Sequence, residues 1–570
     1  MYTAPHLIEL LEKQHHARAQ SGLFKKGTFT LQWRTKVGSF PHPDLETIVS
    51  AGEPCGAWRL TQGRPEDKRN VSENWKQLCV LPLNGYVPGS AIRGLVRSWA
   101  KQRPDVLPRM QELLGYQDND SITPGKIEFL DAWSSEPTKL TLDIVNPQQS
   151  FQVYHQGQST PLSLYTLGNG EDNIEITVAI RGIFGKASDA EVSEVWEWVQ
   201  QALSLYGVGG RTASGYGSLK FSNSPRVTPD PDYTIKQFDF TLYSQGNAGP
   251  NMRTMELRPS HWRGWLRSWA LRFFLGVMSP EEAEKTVGEL FGAIEPNSYK
   301  GCVRLQITKG SKWGKVSSNY PRFYLWKGKL QINAPKEILN KIILPIIKFA
   351  VMVGGVGRGW RRPLHIFHMN NGHAAARGTY LTLTHKIKNS NTQELETRTY
   401  GLPLDASNWT RTYQDWLTAV QAQWGDRVTA NNHNIGAEVF SPATCAIYAV
   451  PGPDIEPIDR QEEFCWEQTN DAKATRGDGM YLIYQQTPTR NYKRNPDIGG
   501  NAGSGGAYCS WASIKRVKVK HPEEDTECQE IVCLFMGGET PDANHVRARF
   551  LKDLRNMAGA RHLFGVQAPN

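Results

Sequence analysis

Apolar positions along the chain follow two rhythms. Between Ser90 and Lys101, Ile92, Leu95, Val96 and Trp99 recur at helical spacing, and Arg93, Arg97 and Lys101 stand four apart beside them. This pattern predicts an amphipathic helix beginning after Pro88-Gly89, with Ser90 as its N-cap. A second stripe, Trp262, Trp265, Leu266, Trp269 and Phe273, predicts another helix, with Arg263 and Arg267 as its basic row and Arg258 just before it. Alternation in GKIEF (125–129), GCVRL (301–305), GTYLTLTHKI (378–387) and CQEIVCLFMG (528–537) predicts strands. WEWVQQALSL and KIILPIIKFAVM read as buried helices, and TYQDWLTAVQAQWG and HVRARFLKDLRNMA as two more in the last third.

These elements repeat. RGLVRSWA at 93–100 returns as RGWLRSWA at 263–270, identical at six of eight positions. Each copy is followed in the same order by ELLG (112–115) or ELFG (289–292), by a glycine-led strand, and by an apolar helix running into a glycine-rich loop. The loops are LYGVGGRTASGYGSLKF (205–221) and VGGVGRGWRRPLHIF (353–367). The repeat predicts two homologous modules, 1–228 and 229–375, joined by the proline-rich linker PRVTPDPDYT (225–234), with a third α+β unit over 376–570.

The order of elements limits the chemistry. In Rossmann and P-loop sites a strand enters the glycine loop and a helix leaves it. Here a helix enters and a strand leaves, and neither loop contains GxGxxG or GK[ST], which argues against mononucleotide binding. Glycines also let a polymer backbone come close. Gly209 and Gly210 with Arg211 and Tyr216 suit single-stranded RNA, and Arg358, Trp360, Arg361 and Arg362 offer the same combination in the second loop. The helix rows Arg93, Arg97, Lys101 and Arg263, Arg267 are expected to seat phosphates, helped by the helix N-termini at Ser90 and Arg258. A solvated charged face is the plainer alternative for a single helix.

Composition adds direction. The 570 residues carry 65 Lys plus Arg against 56 Asp plus Glu, a net charge of +9, which favours an anionic partner. At 39% hydrophobic and 10% aromatic, the chain can build several cores. The most apolar stretch, Ile342–Gly355, is shorter than a membrane span and holds Pro345 and Lys348, so no membrane association is expected. The eight cysteines form no CxxC pair and read as reduced thiols of a cytoplasmic protein.

The motifs PGSAIRGLVRSWA, IEFLDAW, LTLDIVNP and GVGGRTASGYGSL, then FDFTLYSQGNAGPNMRTMELRPSHWRGWLRSWALRFF, ELFGAIE and the second loop, resemble the RAMP superfamily of CRISPR-associated proteins. The first module resembles the sixth-numbered subunit of the type III-B (Cmr) effector, and the second resembles the first-numbered subunit. The resemblance implies an α+β fold of about three tandem ferredoxin-like (RRM-like, βαββαβ) domains. It also implies a cytoplasmic, non-catalytic, RNA-binding role in antiviral defense, gripping the 3′ part of a guide (crRNA) or its duplex with target RNA beside other effector subunits, with no cofactor. Two residues depart from the pattern: Ser260 replaces a proline after LRP, and Pro363 stands where a glycine is usual.

Other readings rest on single features. A RAMP endoribonuclease would use Asp44, near Glu46, with a divalent metal, or His15 or His16 as general base. Two solvated loop carboxylates and an exposed histidine pair are the plainer expectations. Asp131 and Asp143 are expected to be structural. His365, His368 and His373 with Cys302, or Cys528 and Cys533 with His521, could ligate a metal, but i and i+3 on a strand point to opposite faces and no metal site is expected. In the last unit, Arg516, Lys518 and Lys520 would form a basic ladder on one strand face, and Arg490, Tyr492, Lys493 and Arg494 a basic-aromatic loop. RNA, or an acidic partner in a scaffold role, could lie on either.

Overall fold

The computed structural model describes residues 4–568 apart from 19, 38, 43–46, 51–53, 60–63, 66–85, 119–120, 135–139, 146–148, 157–161, 169, 171–173, 222–226, 245–246, 249–254, 294–297, 316–323, 369–373, 390–392, 430–435, 454–473, 486, 488–489, 501–507, 521–525 and 538–544. Asp44, Glu46, His373 and His521 lie outside the described residues.

The first unit is built on β1 (Phe24–Leu31), β2 (Ile127–Phe129), β3 (Ala132–Ser134), β4 (Ile174–Gly182) and β5 (Leu219–Phe221). In the sheet, β5 pairs β1, β1 pairs β4, and β4 pairs both β2 and β3, every pair antiparallel. Counting β2 and β3 as one interrupted strand, the spatial order of these strands is fourth, first, third, second, and the sheet continues past β3 through Tyr86–Val87, Ser39–His42 and Thr47–Ser50. The helix Ala4–Ala17 (α1) precedes this sheet, and α2 (Gly89–Ala100), α3 (Leu107–Leu114), α4 (Gln149–Tyr154) and α5 (Asp189–Tyr206) accompany it. Ile92, Val96 and Val199 from α2 and α5 meet Phe29, Ile176 and Val178 from the sheet in one core.

The second unit repeats the order with β6 (Tyr233–Ser244), β7 (Arg304–Lys315), β8 (Tyr324–Pro335) and β9 (Thr379–Lys388). Its sheet runs β7-β8-β6-β9 and ends on β10 (Leu395–Thr399). The helices are α6 (Pro259–Phe274), α7 (Pro280–Phe291) and α8 (Leu344–Val353). A boundary at 375 is therefore too early. The fourth strand comes from GTYLTLTHKI, past that boundary, and β10 extends the sheet beyond it.

The last sheet, β12-β13-β11-β14, again has this order, with β11 (Cys445–Pro451), β12 (Ala512–Lys520), β13 (Thr526–Phe535) and β14 (Arg561–Gly565). Helices α10 (Asp478–Tyr484) and α11 (Val546–Arg555) accompany it, and α9 (Ala406–Trp424) bridges it to the second unit. Phe273 of α6 stacks on Phe440 at 4.3 Å and meets Trp416 of α9 at 4.9 Å, while Phe440 stacks on Phe564 of β14 at 5.5 Å. The second and third units thus share one continuous core, separate from the main core of the first. Each such buried aromatic contributes about 1.5–3 kcal/mol.

The first and second units are pinned by polar contacts at the proline-rich junction. Asp230 is buried and accepts from Arg103 at 3.0 Å, Arg304 at 3.1 Å and the Tyr206 hydroxyl at 2.5 Å. The segment predicted as a linker holds an ion-pair hub. Among the described residues, no helix is long and apolar enough to cross a membrane and no cluster of residues could hold a metal ion. Cys302, Cys445, Cys509, Cys528 and Cys533 are unbridged.

Candidate nucleic-acid interface

The basic rows have internal partners. Arg93 donates to the Leu114 carbonyl, and Arg97 donates to the Gly115 carbonyl at 2.9 Å. In the second unit Arg263 donates to the Phe291 carbonyl and Arg267 to that of Gly292 at 3.5 Å. A helix leaves its last carbonyls without intrahelical donors, and cations are favoured there. In both units the arginine pair of one helix therefore clamps the C-terminal end of the next, which explains why RGxxRSWA and ELxG repeat together. These four arginines thus carry a structural clamp, a role their spacing in the sequence did not reveal.

The helix N-termini are also committed elsewhere. Pro88, rather than Ser90, occupies the N-cap position of α2, and the Gly89 amide donates to Asp131 at 2.8 Å. Ser90 and Lys101 are exposed. Arg258 is 3% exposed and lies in a buried charge network. It bonds Asp143 at 2.5 Å and Glu256 at 3.3 Å, while Arg34 bonds Glu256 at 2.7 Å. Lys36 stands 3.9 Å from Asp143 and 4.1 Å from the centre of the Tyr216 ring. Tyr216 is buried and donates to Asp143, so its ring is not an open stacking face. Burial alone would raise the Asp143 carboxyl, but Arg258, Arg34 and Lys36 hold it well below the usual carboxylate range. Burial, with the charges of Arg211, Arg258 and Arg34 added, lowers the Lys36 amine to about 7 against the pull of Asp143. The network joins the first loop to the second unit.

Above it, the first glycine loop is stapled to residues 34–36. The Gly217 amide donates to the Arg34 carbonyl at 2.7 Å, and the Gly210 amide to that of Lys36 at 3.2 Å. A Cβ on Gly217 would fall 1.8 Å from the Val208 carbonyl oxygen, so only glycine fits. The staple leaves Gly209, Gly210 and Arg211 exposed at the tip. Arg211 adopts φ 58°, a left-handed conformation uncommon for a residue with a Cβ.

The second loop is similarly fixed: the Gly355 amide donates to the Trp360 carbonyl at 2.9 Å, and the Ile514 amide of β12 to the Arg361 carbonyl at 2.9 Å. Arg361 is buried against Glu438 at 2.7 Å, and Glu438 also takes Arg272 at 2.5 Å and His155 at 2.8 Å. Arg362 donates to the Ala512 carbonyl at 2.5 Å and to Ser510 Oγ at 2.8 Å. Trp360 is half-buried, and Arg358 is exposed at the tip. Of the arginines expected to meet RNA, Arg211 and Arg358 have side chains with no hydrogen-bond or ion-pair partner among the described residues. Sequence patterning identified cations but gave no sign of the carboxylates and carbonyls, tens to hundreds of residues away, that absorb most of them.

The remaining candidates also find places. His15 is buried and stacks on Phe184 at 4.6 Å, whereas His16 is exposed, so the two do not form an exposed pair. His365 is buried with Nδ1 2.9 Å from the Pro363 carbonyl oxygen. Arg516 points inward to Glu530 at 3.0 Å, which corrects the expected exposed ladder, and Lys518 is half-buried. Arg490 and Tyr492 both bond Asp553, at 3.1 and 2.7 Å, leaving Lys493 and Arg494 exposed.

No curated protein matches the sequence. Among solved structures, Cmr6 from Pyrococcus furiosus is similar at 18% identity, covering 35% of this chain and 97% of that one with a TM-score of 0.18. Cmr1 from Pyrococcus furiosus in its apo form is similar at 11% identity, covering 58% and 99% with a TM-score of 0.30. The family model that matches is that of the RAMP superfamily, over residues 84–220, the stretch that holds the first arginine clamp and the first glycine-rich loop.

Proposed function

We propose that the chain is a non-catalytic RNA-binding subunit of a type III-B-like CRISPR effector, a fusion of a module like the sixth subunit with one like the first. Its three main sheets, each containing four strands in the order fourth-first-third-second, read as tandem ferredoxin-like domains. The chain grips the backbone of the guide or its duplex with target RNA beside other subunits of the complex. The observation that carries this reading is the exposed arginine at the tip of each rigid glycine loop: Arg211, in a left-handed conformation, and Arg358. A cation presented without a carboxylate partner beside exposed glycine backbone suits a phosphate chain and carries no base-reading geometry. Binding is then salt-sensitive and sequence-blind.

The test is to purify the complex through a tag on this chain and sequence the RNA that accompanies it, for wild type and Arg211→Glu/Arg358→Glu. Loss of guides, or of their 3′ portions, with the protein partners retained supports the reading. Guides retained while partner subunits fall away would reassign the loop tips to protein contacts.

A further inference from the structure

The arginine clamp of the first unit holds more than a helix end. Just past Leu114 the chain leaves the unit as a two-stranded antiparallel hairpin, Tyr116–Asp118 against Ser121–Thr123, and returns at Gly125 to enter β2. The neck of this hairpin is fixed from three sides. Arg93 and Arg97 bond the Leu114 and Gly115 carbonyls, the Lys126 amide donates to the Leu113 carbonyl at 2.8 Å, and a Cβ on Gly115, at φ 82°, would fall 2.8 Å from the Gly125 nitrogen. Beyond the neck all six described hairpin residues are exposed. Ile122 is 73% exposed, the highest value for a large apolar side chain among the described residues, and Tyr116 is exposed as well. Ile183, whose amide donates to the Lys126 carbonyl at 2.9 Å, adds a third exposed apolar side chain beside the neck. An isolated two-stranded hairpin is marginal in water, so a pinned one that shows apolar side chains marks a contact surface.

The second unit shows the same device in a covered form. Arg263 and Arg267 hold the Phe291 and Gly292 carbonyls, Gly292 and Gly301 meet at the neck, and Ala293 and Tyr299 bond each other's backbone at 3.1 and 2.9 Å. There the Tyr299 ring lies against α7 at Gly288, where an added Cβ would sit 3.2 Å from the ring. Gln111 holds the matching position in the first unit, one residue before ELLG as Gly288 is one residue before ELFG. A side chain fills that seat, and the hairpin stands off its helix. The charge around it indicates what covers it instead. Tyr116 to Pro124 carries Asp118 and Asp120 and no lysine or arginine, in a chain whose net charge is +9. The cations beside the neck are already engaged: Arg93 and Arg97 by carbonyls, Lys126 by Glu112 and Glu191 at 2.6 and 2.9 Å, and Arg181 by Glu128 at 2.6 Å. The Asp118 side chain has no hydrogen-bond or ion-pair partner among the described residues. Such a surface repels a phosphate chain and attracts cations. We propose that this hairpin docks another protein, one that offers an apolar depression for Ile122 and Tyr116 with lysine or arginine at its rim for Asp118. The inference goes beyond the RNA-binding reading: it needs a protein partner, which membership of an effector complex supplies, and it does not need RNA.

The experiment uses the native complex, purified through a tag on the full chain, with the photoreactive amino acid p-benzoylphenylalanine in place of Ile122 and, as a control, in place of the exposed Leu395 of β10. Crosslinked peptides are sequenced by mass spectrometry, and co-purified RNA is read from the same sample. The expected result is one partner protein, joined at position 122 and not at 395, through a segment that mixes apolar residues with lysine or arginine. Adding Asp118→Lys should lower the crosslink yield about tenfold, and Asp118→Asn less, with melting temperatures unchanged. Without the crosslinker, Ile122→Ser/Asp118→Lys should release that protein and leave the rest of the complex assembled. A crosslink to RNA, a crosslink to a second copy of this chain, equal products from positions 122 and 395, or a yield that survives Asp118→Lys each overturns the docking role. RNA absent from the wild-type sample alongside an intact crosslink overturns the RNA-binding reading and leaves the hairpin's role standing. RNA present with no crosslink at 122 does the reverse.

Discussion

The two glycine loops share a backbone device and differ in what lies beneath it. The first rests on a filled floor, where Arg34, Asp143, Tyr216, Glu256 and Arg258 bond one another away from solvent and Lys36 stands beside Asp143 and the Tyr216 ring. The second rests partly on a similar buried set around Glu438 and partly on an open cavity lined with cations. In the first copy arginine serves mainly to join units, and only the tip faces outward. In the second the joining arginines also line an open space. Duplication of a motif therefore preserved the frame, the arginine clamps and the loop staples, while the use of charge diverged.

Removing the carboxylate from each floor tests this contrast most severely. Asp143→Ala leaves Arg34 and Arg258 buried beside a missing anion, and Glu438→Ala does the same to Arg272 and Arg361. Each is expected to cost about 3–5 kcal/mol in urea unfolding, with the first loop loosened in one variant and the second in the other. A loss below about 1 kcal/mol at Asp143 would mean that the first floor does not hold its loop.

The shared frame is tested next. Arg93→Ala/Arg97→Ala and Arg263→Ala/Arg267→Ala each free helix-end carbonyls and are expected to cost about 1–3 kcal/mol, by the same denaturation measurement. The second pair should cost more, because α6 lies deeper than α2. Unchanged stability combined with lost RNA would restore these arginines as phosphate contacts.

The loop tips should behave alike despite their different floors. Arg211→Ala and Arg358→Ala are each expected to lower the slope of log affinity against log salt by about 0.7, the loss of one phosphate contact to a single strand. Fluorescence anisotropy at several salt concentrations measures it, and a slope unchanged from wild type in one variant would separate the two loops in function.

The smallest effect concerns α1, which packs on the first sheet through His15. Burial, with Arg181 next, lowers the pKa of this imidazole from its ordinary 6.5, so the folded state resists the proton that the unfolded chain accepts. The contribution of His15 is complete above pH 6.5 and is lost as the pH falls below it. Amide exchange of residues 4–17 should quicken on acidification in the wild type and not in His15→Phe.

The repeat, the helices carrying it and the alternating strands could be read from the sequence because each is a local pattern. The partners of the arginines could not, since Arg97 bonds a carbonyl 18 residues away and Arg34 a carboxylate 222 residues away. One signal was present in principle: RGxxRSWA and ELxG recur as a pair, as two halves of one contact would. The limit of the second unit was missed because its fourth strand follows the glycine loop and β10 extends the sheet beyond it, while Ser90 looked like a cap because Asp131, its replacement, comes from another element.

The continuous core of the second and third units has a consequence for the order in which the chain can be made. On a ribosome, the first unit has all its strands once Phe221 has emerged, and it can close while synthesis continues. The second cannot complete its sheet until β9 and β10 follow, and its aromatic face stays uncovered until Phe440 and finally Phe564 arrive. For more than 300 residues of translation, from the tryptophans of α6 to the last strand, that surface depends on chaperones or on its own partial packing, so a pause or truncation in the last third endangers the middle of the protein more than its beginning.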